Sequence, residues 1–146
     1  MTDNNNTQAK QQTPKPYPGL KSLDRLVGTW KVSGPDIKRQ VRFEWMEGGF
    51  FLMQHVDLEQ GGQKIKGIEY IGYDQESKSL KSHYFENSGN LFEYTWEVDD
   101  NTLTIWFGEK GSPGVFKGTF SDDGNSNTGR WEWPGGGYES TMTRAK

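Results

Sequence analysis

From Thr29 to the C-terminus, apolar and polar residues alternate with a period of two, as in strands that bury one face. Phe92, Tyr94, Trp96 and Val98 are set against Glu93, Thr95 and Glu97, and then Leu103, Ile105 and Phe107 against Thr102, Thr104 and Trp106. Clusters of Gly, Pro, Asn and Asp bound the alternating runs. They predict strands at 29–33, 39–46, 50–59, 63–73, 79–87, 91–98, 102–107, 115–121, 128–133 and 138–144. The separators, among them Gln60-Gly61-Gly62 and Pro134-Gly135-Gly136, are short enough for hairpins. About ten strands in simple succession predict an all-β fold, a single up-and-down antiparallel β-barrel whose closure leaves no free edge. Ahead of them Leu20, Leu23, Leu26 and Val27 keep helical spacing, with Ser22 or Asp24 available as caps, which predicts a short helix or turn.

In a closed barrel one face of each strand lines the lumen and the other meets solvent. The alternation sends Gln54, Glu69, Ser82, Tyr84, Glu86, Tyr94, Tyr138 and Ser140 inward, together with Trp96, Trp131 and Trp133. It sends His55 and His83 outward. An aromatic wall with a few polar groups suits a small apolar or aromatic ligand, the wall supplying affinity and the polar groups orientation. Gln54, Glu69, Tyr84, Tyr94, Trp96, Trp131, Trp133 and Tyr138 are the ligand-binding candidates.

Length and composition narrow the picture. A chain of 146 residues suits one domain, and its first eighteen residues are Asn, Gln, Thr, Lys and Pro with almost nothing apolar. Residues 1–18 are therefore expected to be a disordered tail, and residues 19–146 the barrel. The mean hydropathy of −0.93 understates the core. Six Trp, six Tyr and eight Phe carry it, each burying about 150 to 250 Å².

Seventeen Lys and Arg against twenty Asp and Glu leave a net charge of −3, with the basic residues scattered. Nucleic acid is not expected as a partner, since its binding depends on neutralised phosphates. Without cysteine there is no disulfide, thiolate nucleophile or Cys-ligated zinc. No apolar run reaches the roughly 18 residues of a membrane span, and no basic-then-apolar leader precedes the barrel, so a cytoplasmic protein without a membrane partner is expected. Oligomeric state is left open.

The Gly-x-Trp of Leu26-Val27-Gly28-Thr29-Trp30, a run of alternating strands and Arg144 near the end together resemble the calycin superfamily of lipocalins, fatty-acid-binding proteins and nitrobindin-like barrels. Within it, the segments LVGTW, FEWMEGGFFL, GIEYIGYD and GTFSDDGNSNTGRWEWPGGGYESTMTR resemble the DUF1579 group of bacterial barrels, across Leu23 to Arg144. The resemblance implies a helical segment plugging one barrel end and a structural role for Gly28, Trp30 and Arg144, with the guanidinium stacked on the indole. Nitrobindin-like relatives hold haem through a histidine near the C-terminus. This chain has no histidine after His83, and no cofactor is expected.

Two histidines cannot by themselves supply the three or four ligands of a metal site, so no metal is expected. Asp122-Asp123-Gly124-Asn125 begins like a calcium loop but lacks the terminal Glu, and it reads as a hairpin turn. No nucleophile elbow, dinucleotide fingerprint or phosphate-cradling loop is present. Glu69 and Glu86 are the catalytic candidates, because a carboxyl in an aromatic lumen has its pKa raised and can exchange protons near neutrality. The competing expectation is that each is satisfied by a Lys, Arg or Tyr, or faces water. Three readings follow: a binding barrel, an acid–base enzyme (isomerase, cyclase or hydrolase-like) using Glu69 or Glu86 with Tyr84, Tyr94 or Tyr138, and a structural module whose barrel is packed solid.

Overall fold

Every alternating run becomes a strand in the computed structural model, which describes residues 14–146. The strands are β1 (Gly28–Ser33), β2 (Ile37–Trp45), β3 (Phe51–Gln60), β4 (Gln63–Asp74), β5 (Ser79–Glu86), β6 (Leu91–Asp99), β7 (Thr102–Phe107), β8 (Val115–Phe120), β9 (Ser126–Trp133) and β10 (Gly136–Arg144). Each pairs antiparallel with its sequence neighbours, and β1 closes on β10 with Trp30 opposite Arg144 and Val32 opposite Met142. The result is a closed up-and-down barrel. Between β3 and β4, Gly61 and Gly62 take φ of 59° and 80°, as a two-residue hairpin requires, and so fix Gln60 opposite Gln63.

The two barrel ends differ. A 3₁₀ helix over Pro18–Leu26 buries Leu20, Leu23 and Leu26 at the end where β1 starts and β10 finishes. Its caps are not the expected ones. The N-cap is Tyr17 without a side-chain bond, Ser22 donates back to the Gly19 carbonyl at 2.8 Å, and the Asp24 carboxylate accepts from Trp45 Nε1 at 2.7 Å. Arg25 donates to Asp100 O at 2.9 Å and lies 3.9 Å over the Phe120 ring. These contacts seal the plug to the loops beneath it.

The expected tail falls outside the described residues up to position 13. Tyr17 stacks on Tyr73 with centroids 3.8 Å apart, and Pro18 opens the helix, so both belong to the folded part.

One position departs from the alternation. Arg39 lies opposite Val32 and Leu58, which face the core side, yet its φ of 96° turns it outward to bond Asp57 through Nε and Nη2 at 3.2 and 3.0 Å. That rotation keeps a cation off the inner face. No helix among the described residues is long and apolar enough to cross a membrane.

Candidate functional site

Above the plug the lower barrel is packed. Leu23, Leu26, Trp30, Leu52 and Ile71 are fully buried there, with Phe43 and Phe120 nearly so. Trp30 donates from Nε1 to the Leu26 carbonyl at 2.7 Å. Arg144 covers its ring at 4.2 Å and donates to Val27 O at 2.6 Å and Arg25 O at 2.9 Å. Gly28, at φ 126°, runs so close that an added Cβ would sit 2.8 Å from Arg144 Nη1. The three residues thus meet at the plugged end.

Toward the other end the aromatic rings line the lumen without filling it. A cavity of about 270 Å³ remains, floored by Phe43 and Trp96 and walled by Tyr84, Phe92, Tyr94, Phe116, Trp131 and Tyr138. Most rings meet in tilted or edge contacts, with Tyr94 and Phe116 within 5.9 and 5.7 Å of Trp131. Of the ligand-binding candidates, Gln54, Glu69, Tyr84, Tyr94, Trp96, Trp131 and Tyr138 come together around this space. Trp133 does not. Its strand ends there, leaving the indole 45% exposed at the rim, edge-on to Tyr138 at 6.0 Å.

Among the described residues Glu69 is the only carboxyl sunk in the wall, and neutral donors hold it. Its Oε1 accepts from Gln54 Nε2 at 2.6 Å, and its Oε2 accepts from the Ser82 hydroxyl at 2.5 Å and Trp96 Nε1 at 3.3 Å. Trp96 Nε1 also donates to Ser82 Oγ at 2.9 Å, closing a small network. Strand register builds it, since Glu69 stands opposite Gln54 on one side and Tyr84 on the other. The expected Lys, Arg or Tyr partner is therefore replaced by an amide, a hydroxyl and an indole. Burial pushes the Glu69 carboxyl up to about 7, against the opposing pull of these donors.

Glu86 lines the mouth and accepts from the Ser88 hydroxyl and from Asn90 Nδ2 at 3.2 Å. It belongs to the rim loop more than to a pair with Glu69. Burial raises the Tyr84 and Tyr94 phenols well above their ordinary range, with Glu69 and Glu86 adding to the shift, and raises that of Tyr138 as well. All three remain protonated donors at neutral pH.

Sequence reasoning missed Asn127 and Phe116 in the wall. Asn127 is 1% exposed, and its Nδ2 has no hydrogen-bond partner, nor has Tyr84 Oη. Continuing the period of two back from Trp131 through Gly129 would have found it. The histidines are on the outer face, His55 bonded to Glu44 at 2.6 Å and His83 3.8 Å from Glu93. Among the described residues no group of three or more His, Asp or Glu converges as metal ligands would. The chain matches no protein-family model and no curated protein.

Proposed function

We propose that this chain is a calycin-like barrel that binds a small apolar or aromatic ligand in its lumen. The observation that carries the reading is the aromatic cavity of about 270 Å³ above a sealed plug. Preformed pockets of such composition bind by burying apolar surface at little ordering cost. The volume lies just under the usual range of about 300 to 1,000 Å³ for small-molecule sites and well above the roughly 150 Å³ that admits benzene, so a ligand of one to three rings fits. Affiliation with DUF1579-like barrels and a cytoplasmic location belong to the same proposal, supported by the motifs and composition alone.

Titration with N-phenyl-1-naphthylamine, a neutral apolar probe, tests the reading. Binding at roughly micromolar concentration should perturb tryptophan emission, because Trp96 and Trp131 face the cavity. Failure of this and a chemically varied set of neutral probes to bind would remove the reading and leave a structural module.

The Glu69 carboxyl near 7 favours a second reading, an acid–base enzyme acting on the same bound ligand. Any turnover found should then fall by about 10² in Glu69→Gln while binding persists. Unaltered turnover in that variant would exclude Glu69 as the acid or base.

A further inference from the structure

The cavity wall contains two buried polar atoms without partners, Asn127 Nδ2 and Tyr84 Oη, on residues 1% and 8% exposed. They lie on β9 and β5, on opposite sides of the ring. Asn127 follows the first residue of β9 and so sits at the deep end, whereas Tyr84 stands two residues from the mouth end of β5. An unmet buried donor costs about 1 to 3 kcal/mol, and native chains rarely leave one without water or a ligand. An amide nitrogen can only donate. Gly118 helps to aim it: a Cβ there would lie 2.1 Å from Asn127 Oδ1, so the oxygen occupies the space beside β8 and Nδ2 is the arm turned away from it.

The charges of the wall add a second constraint. Glu69 and Glu86 line the cavity, and among the described residues no Lys, Arg or His does. Arg39, whose register would bring it inward, is turned out and fixed to Asp57, and Arg144 is held at the plugged end over Trp30. A ligand carboxylate would have to lose its water beside two carboxyls with no counter-charge, a cost no apolar contact offsets.

We infer that the lumen selects a neutral compound with an apolar or aromatic body and a carbonyl-type oxygen at its deep end that accepts a hydrogen bond from Asn127 Nδ2, and rejects the matching carboxylate. This rests on the ligand-binding reading above and narrows it. Anionic lipids and aromatic acids are thereby excluded as ligands.

Three probes of nearly equal shape test it on the full chain: 2-acetylnaphthalene, 2-isopropylnaphthalene and 2-naphthoate, titrated at pH 8 by tryptophan quenching. The ketone should bind roughly tenfold more tightly than the hydrocarbon, as one hydrogen bond to an otherwise orphaned donor allows, and naphthoate at least tenfold more weakly than the ketone. Asn127→Leu should abolish the preference for the ketone over the hydrocarbon, the ratio of the two affinities falling to about one. Equal binding of ketone and hydrocarbon by the wild-type chain, or naphthoate as the tightest ligand, would overturn the inference without touching the ligand-binding reading. A ketone preference that survives in Asn127→Leu would overturn the assignment to Asn127. The wild-type comparison stands even if the variant does not fold. Failure of all three probes would instead count against the ligand-binding reading itself.

Discussion

The guanidinium of Arg144 lies 4.2 Å over the indole of Trp30, on the residue that β1 pairs directly with it. First and last strand are thus joined both by their backbone ladder and by a stacked pair. The same guanidinium ties down the carbonyls of Val27 and Arg25, so it also fixes the exit of the plug helix. Arg144→Ala is expected to lower stability by about 2 to 3 kcal/mol, combining lost cation–π contact with carbonyls left unmet. Arg144→Lys should recover little, since an ammonium cannot reach both carbonyls from a stacked position. Urea melts measure the loss, and probe affinity should stay near wild type because the pair is remote from the cavity.

Gly28→Ala should fail for a separable reason. The φ of 126° is strained for any side chain, and the new methyl would meet Arg144 Nη1 at 2.8 Å. A cost on the order of 1 to 3 kcal/mol is expected. In an Arg144→Ala background the steric part should disappear and the backbone part remain, which a double-mutant cycle in urea can separate.

Glu69 gives the chain a pH-dependent stability of defined sign. Its folded pKa of about 7 exceeds the unfolded value, so the folded state holds the proton more tightly. The contribution is fully present below about pH 4 and is lost as pH rises to about 7, amounting to about 3 kcal/mol in all. Glu69→Gln should remove this slope, so the stability difference between wild type and variant, followed by urea melts from pH 5 to 8, should move by most of that amount. A difference constant with pH would show that the carboxyl titrates normally.

The strands, their order and the inward face were legible in the sequence because alternation fixes which side a residue faces, and a barrel needs only that to sort its lumen from its surface. What alternation could not give was register. Alternation puts both Gln54 and Glu69 inside, but their being opposite one another, with Ser82 and Trp96 in reach, depends on hairpin lengths. Asn127 escapes because Asn is a turn residue, which puts the predicted start of this strand at Thr128 although the ladder begins at Ser126. Trp133 shares the parity of Trp131 yet stands at the rim, since parity does not say how far along the barrel a residue lies. The inward parity of Arg39 is undone by a single positive φ that no composition rule announces.

The central claim is that the lumen is open space which a ligand fills. Ser140 lines it from β10, opposite Gly129, so Ser140→Trp would place an indole in the cavity without disturbing the plugged end. Calorimetric titration of N-phenyl-1-naphthylamine into both proteins decides the matter. Binding by the wild type and at least a tenfold loss in a folded Ser140→Trp variant is the expected result. Equal affinity in the two would contradict it and place the probe on the outer surface, where Ile68, Phe85 and Leu91 form an exposed apolar row across β4 to β6.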